Sequence, residues 1–109
     1  MIEKHGIVNR VLLDAKLTVD KVEVIRKELY SKLAKGEKHY IIDFSKCEFI
    51  DSTGLGLLLS FLKRTIDAGG KLILCSLISP NVKEIFNLTR LDLVFTIEGD
   101  FSSALRKIN

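Results

Sequence analysis

Residues 51–56 read Asp-Ser-Thr-Gly-Leu-Gly, so a carboxylate, two hydroxyls and two glycines fall within six positions. Several chemistries use runs of this kind. A dinucleotide fingerprint needs a third small residue where Leu59 stands and an acidic residue after the next strand, which instead ends Cys75-Ser76. A phosphate-cradling loop needs a Gly-Lys-Ser/Thr ending that is absent. A nucleophile elbow needs Gly-x-Ser-x-Gly, and the two histidines, His5 and His39, precede strands rather than following a nucleophile. Asp51 and Ser52 are sequence neighbours at a helix start, whose side chains point apart, so they form no acid–base pair. Neither Cys47 nor Cys75 has a His or a second Cys at metal-ligand spacing, and both read as packed, reduced thiols. The residues thus offer no catalytic set, no metal site and no cofactor site.

What remains is a capping turn. Asp51 or Ser52 can accept hydrogen bonds from the free amides of a first helical turn. The glycines need a separate reason, since each costs roughly 0.5–1 kcal/mol relative to alanine inside a helix. A surface that lets another backbone approach closely over the helix terminus supplies one.

The elements that position this turn follow from periodicity. Ile7–Leu13 is rich in β-formers and predicts a strand, preceded by a short one at Ile2–His5. Thr18 opens a helix with Val22, Ile25, Leu29 and Leu33 on one stripe and Gly36 as its stop. Tyr40–Phe44 and Lys71–Ser76 are short apolar runs of the kind buried on both sheet faces. Between them the glycine-bearing helix runs to about Ala68. At 100° per residue, Leu55, Leu58, Leu59, Leu62 and Ile66 form its sheet-facing stripe, which leaves Leu57 and Phe61 outside with Thr53, Ser60 and Arg64. Ser79 and Pro80 start a further helix, with Ser79 as its N-cap. Leu93–Ile97 is a last strand and Asp100–Ile108 a last helix. Strands and helices alternating across short connections predict one α/β domain over residues 1–109, with a mixed, mostly parallel sheet of four to five strands and about four helices.

Composition narrows the classes. The chain has 109 residues, 17 basic and 14 acidic, a net charge of +3 that is scattered rather than blocked. Basic residues do not interleave with aromatics as a single-strand nucleic-acid platform requires. The longest apolar stretch, Leu55–Leu62, is too short to span a membrane. Met1–His5 lacks the basic-then-apolar order of a signal peptide, so a cytoplasmic location is expected, with no membrane insertion and no direct contact to nucleic acid.

The Asp51–Gly56 run follows the apolar pair Phe49-Ile50 and lies about eight residues after a strand ending Ile42-Asp43-Phe44. With Gly69-Gly70-Lys71, Leu74-Cys75-Ser76 and Ile78–Phe86 through Leu91, it resembles the STAS domain, and in particular the stand-alone bacterial anti-sigma factor antagonists. The resemblance covers nearly the whole chain. It implies that Ser52 is a phosphorylation site, with Thr53 the competing acceptor. It also implies an anti-sigma factor with serine kinase activity as partner, and a phosphatase that reverses the modification. Where the family has Gly-x-Leu-Asp before its first helix, this chain has Ala15-Lys16-Leu17-Thr18, which alters the neighbouring turn. The partner surface is then expected to comprise Asp51, Ser52, Thr53, Gly54 and Gly56, with Leu57 and Phe61 as its apolar centre. The expected role is that of a non-enzymatic binding switch. The alternative is a structural or regulatory STAS subunit of a stress-signalling assembly or a transporter, with no phosphorylation cycle.

Overall fold

The computed structural model describes residues 1–109. Its elements are β1 (Ile2–His5), β2 (Val8–Leu12), β3 (Lys16–Leu17), α1 (Val19–Ala34), β4 (His39–Asp43), β5 (Phe49–Ile50), α2 (Ser52–Asp67), β6 (Lys71–Cys75), α3 (Pro80–Leu88), β7 (Thr96–Glu98) and α4 (Phe101–Ile108). Five strands form one sheet in the order β1-β2-β4-β6-β7. The β1–β2 hairpin is antiparallel and turns at Gly6, whose φ of 63° suits glycine. The other neighbours in the sheet are parallel. The expected mixed sheet and four helices are therefore present.

Two apolar layers hold the sheet. On one face, Leu29 of α1, Leu57, Leu58 and Phe61 of α2, and Val82 and Phe86 of α3 pack on Tyr40, Ile42, Leu72 and Leu74. On the other, Ala104 and Ile108 of α4 cover Val8, Ile41, Ile73 and Cys75. Burial on both faces is why β4 and β6 read as continuous apolar runs. The charge buried at the end of β4, Asp43, is held by two bonds from the Arg10 guanidinium (3.0 and 2.7 Å) and by the Ser45 amide (2.9 Å).

Two expectations are corrected here. The last strand is Thr96–Glu98, because Leu91–Leu93 forms a 3-10 turn after Arg90 adopts a left-handed φ of 60°. An extended segment would place Leu91, Leu93 and Phe95 on one face; the turn keeps Leu91 and Phe95 in the core and puts Leu93 out, 71% exposed. The larger correction concerns α2. Its buried stripe is Gly54, Leu57, Leu58, Phe61 and Thr65. Leu57 and Phe61 are 1% and 0% exposed, whereas Ile66, expected on the sheet, is 61% exposed. The helix is apolar around most of its circumference, so apolar spacing fits more than one stripe. What decides between them is the close contact of Gly54 with the neighbouring β3 segment.

Candidate functional site at the start of α2

The turn that precedes α2 is held by a pair of two-residue strands. β3 and β5 run parallel, with Lys16 opposite Phe49 and Leu17 opposite Ile50. The Glu48 and Phe49 amides donate to the Ala15 carbonyl (2.8 and 3.1 Å), and the Asp51 amide donates to the Leu17 carbonyl at 3.3 Å. The Ala15–Thr18 segment is thus the neighbour of the Asp51–Gly56 run. An added Cβ at Gly54 would lie 2.5 Å from the Leu17 carbonyl oxygen and 2.8 Å from Ile50 Cγ1. Gly54 is glycine so that α2 can lie against β3, and it faces the interior rather than a partner.

Asp51 is the N-cap of α2, and its carboxylate joins two helices. Oδ1 accepts from the Thr53 and Gly54 amides, both at 3.0 Å, and from the Thr53 hydroxyl at 2.5 Å. Oδ2 accepts from the Val19 amide at the start of α1, at 3.1 Å. The Thr53 hydroxyl, then the Gly54 amide, hold the Asp51 carboxyl below the usual carboxylate range. Asp20 lies close by and is likewise lowered, chiefly by the Thr18 hydroxyl, so the surface carries two ionised carboxylates. Thr18 occupies the N-cap position of α1 without making a capping bond, and its hydroxyl donates to Asp20. The Ser79 hydroxyl similarly donates to the Glu48 carbonyl (2.8 Å) instead of capping α3.

Ser52 is the first residue of α2. It is exposed, and its hydroxyl makes no hydrogen bond within the chain, while the Thr53 hydroxyl is tied to Asp51. Gly56 lies one turn further on, exposed, and an added Cβ there would meet nothing within 4 Å. The structure therefore brings Asp51, Ser52, Thr53 and Gly56 together at one surface. It withdraws Gly54, Leu57 and Phe61, which are core residues and cannot serve as contact groups without unfolding α2. The outward face instead runs Ser52, Gly56, Leu59, Lys63, at i, i+4, i+7 and i+11, with Leu59 39% exposed. Val19 and Phe49, on the two elements that Asp51 and Leu17 join, add further exposed apolar surface. Reading the helical period outward from Ser52, rather than inward from the leucines, points to Leu59. The Val19 contact spans 32 residues and leaves no local signal.

Both cysteines are buried and free. Burial pushes Cys47 up and Cys75 up to about 11, the opposite of an activated thiolate. No group of three or more His, Cys, Asp or Glu side chains converges anywhere in the chain. No helix is long and apolar enough to cross a membrane.

The model of the STAS domain matches residues 2–104. BtrV of Bordetella bronchiseptica, named as a candidate anti-sigma factor antagonist, is 29% identical over 82 residues, 75% of this chain and 70% of that protein. The crystal structure of a candidate anti-sigma factor antagonist from Thermotoga maritima superposes with a TM-score of 0.91 at 25% identity, covering 99% of this chain and 92% of that one. Bacillus SpoIIAA in its phosphorylated form shares the fold, with a TM-score of 0.78 at 22% identity over 100% of this chain and 98% of its own. The chain belongs to the STAS-domain family, and the relatives it resembles along most of their length carry the name of anti-sigma factor antagonist.

Proposed function

We propose that this chain is a cytoplasmic anti-sigma factor antagonist: a non-enzymatic module that sequesters an anti-sigma factor while Ser52 is unmodified and releases it when Ser52 is phosphorylated. The partner is an anti-sigma factor with serine kinase activity, and a phosphatase resets the switch. One observation carries the choice of residue. Ser52 presents a free hydroxyl to solvent, whereas modifying Thr53 would break its bond to the Asp51 cap. The naming of BtrV and the Thermotoga protein, and the phosphorylated state of SpoIIAA, support the role.

The switch follows from the occupancy of the helix terminus. Asp51 already takes the Thr53 and Gly54 amides, so a phosphate on Ser52 finds no vacant cradle there. It stays in water as a group of about −1.5 to −2 charge beside Asp51 and Asp20. The helix dipole tolerates it, and the fold is unchanged. A partner whose backbone lies over Gly56 and whose apolar groups meet Leu59 must then desolvate that anion to dock. Release follows from this cost.

The test is incubation of the purified chain with its cognate anti-sigma factor and Mg-ATP. Mass spectrometry is expected to place one phosphate on Ser52, and Thr53→Val is expected to remain a substrate. Ser52→Ala should bind without being modified, and Ser52→Asp should bind at least about tenfold more weakly, equivalent to about 1.4 kcal/mol. Phosphate on Thr53, or equal affinity of Ser52→Asp and wild type, would sink the reading. ATP turnover by the chain alone that vanishes in Ser52→Ala would overturn its non-enzymatic part.

A further inference from the structure

We propose a second docking site at the other end of the sheet, a notch beside the start of β6 that takes a short extended protein segment in which aliphatic and acidic residues alternate. Strand β7 pairs only with Ile73–Cys75, and the Lys71 amide is turned to the Lys38 carbonyl on the β4 side, so the start of β6 presents side chains there rather than a free backbone edge. A groove of about 440 Å³ opens there, floored by Leu62, Ile66, Leu72 and Val94 and edged by Lys71 and Lys107. Ile66 and Val94 are exposed apolar residues that leave the fold nothing to gain by their placement.

The two sides of the notch differ in character, and this selects the occupant. Leu72 packs with the α1–α3 layer and Ile73 with the α4 layer, so successive β6 side chains alternate between the two faces. On the α2 side the groove offers Leu62 and Ile66. On the α4 side it offers Lys71 and Lys107, neither of which is ion-paired in the fold, and no carboxylate lines the groove. An extended segment lying in the groove presents every second side chain to the same side. Its aliphatic set therefore meets Leu62 and Ile66 while its acidic set meets Lys71 and Lys107. In the apolar groove between α1 and the β1–β2 hairpin, by contrast, Lys21 is paired with Asp14 at 4.0 Å and Glu28 also lines the rim, so the mixed rim selects no charge. The notch lies at the far end of α2 from Ser52, so a segment bound there is held whatever the state of the switch.

The experiment is selection of a displayed library of random ten-residue peptides on the immobilised chain, followed by amide chemical-shift mapping with the enriched peptides. Enriched sequences are expected to alternate Leu, Ile or Val with Asp or Glu, and to move the Ile66, Leu72 and Thr96 amides. The double variant Lys71→Glu/Lys107→Glu should weaken binding at least tenfold, with Lys71→Gln as a milder check. Lys107 lies in the last turn of α4, so its reversal is expected to lower Tm by a few degrees at most, and binding is compared well below both melts, with Lys71→Gln, which leaves that helix end intact, expected to melt with wild type. Ser52→Asp should leave peptide affinity unchanged, which separates this site from the partner-switching surface. Enrichment of neutral or basic peptides, full binding by the charge-reversed variant, or shifts confined to the Ser52 end would overturn the proposal. So would a groove that responds only to vesicles of anionic lipid or to duplex DNA and not to the peptides.

Discussion

Gly54 and Gly56 are two residues apart in one helix, and alanine at each is expected to shift stability in opposite directions. At Gly56 the new methyl meets nothing within 4 Å, so the change gains about 0.5–1 kcal/mol of helix propensity. At Gly54 the methyl would lie 2.5 Å from the Leu17 carbonyl oxygen, where ordinary contact begins near 3.4 Å. That carbonyl cannot retreat freely, because it accepts the Asp51 amide and belongs to the β3–β5 pair. Overpacking of this kind costs about 1–3 kcal/mol, and loss of the Leu17–Asp51 bond about another 1 kcal/mol. Against these stands the same propensity gain, which leaves a net loss of about 1–3 kcal/mol. Unfolding entropy of about 2.1 cal/mol/K per residue over 109 residues converts each kcal/mol into about 4 °C. Gly56→Ala should therefore raise Tm by about 2–4 °C, and Gly54→Ala should lower it by about 4–13 °C. Calorimetry and urea titration on the purified variants measure both. Partner affinity adds a second axis, since Gly56→Ala should weaken anti-sigma factor binding despite its higher Tm. Equal midpoints for the two variants, or a destabilised Gly56→Ala, would refute the reasoning.

The rotation of α2 predicts a matching pair, in which Leu57→Ala loses about 2–5 kcal/mol of stability as a buried truncation. Leu59→Ser, at a position 39% exposed, should instead cost no more than about 1 kcal/mol of stability and lose affinity for the partner in a titration. Asp51 has its carboxyl lowered by the Thr53 hydroxyl and the Gly54 amide, so its contribution is present above the unfolded carboxylate value near 3.9 and fades as pH falls through the lower folded value. The stability gap between wild type and Asp51→Ala should accordingly be largest near neutral pH and narrow at pH 3 in urea titrations, and a pH-independent gap would count against the cap. Cys75, pushed up by burial to about 11, and buried Cys47 should resist iodoacetamide at pH 8 until urea unfolds the chain. Labelling of the native protein at the denatured rate would contradict their placement.

The legible parts of this chain are those whose signal is local. Tyr40–Phe44 and Lys71–Ser76 could be read as central strands because burial on both faces leaves unbroken apolar runs. Helix starts at Thr18, Ser52, Ser79 and Asp100 could be placed because capping residue types mark them within one position. The unreadable parts depend on distant partners. Thr18 and Ser79 sit at helix starts, yet their hydroxyls go to Asp20 and Glu48. The Asp51–Val19 bond crosses 32 residues, and the need for glycine at position 54 comes from a carbonyl 37 residues upstream. In a helix as leucine-rich as α2, that one close approach fixes which stripe is buried, and composition within the helix cannot supply it.

The departure of Ala15-Lys16-Leu17-Thr18 from the family's usual turn can be weighed on the same geometry. Leu17, the position shared with the family pattern, does the structural part: its side chain and carbonyl meet Gly54, and its carbonyl takes the Asp51 amide. The position where an aspartate is usual is Thr18, and its loss as a cap is compensated by Asp51 Oδ2 on the Val19 amide and by Asp20 in the first turn. The negative charge beside Ser52 is thereby kept while its carrier moves two residues along the chain. A partner that reads a carboxylate at this turn would meet Asp20 rather than residue 18, from a slightly different direction. On the function proposed above, specificity for one anti-sigma factor among several is therefore expected to reside in Thr18, Asp20 and the exposed Val19 between them, and the switch in Asp51, Ser52 and Gly56.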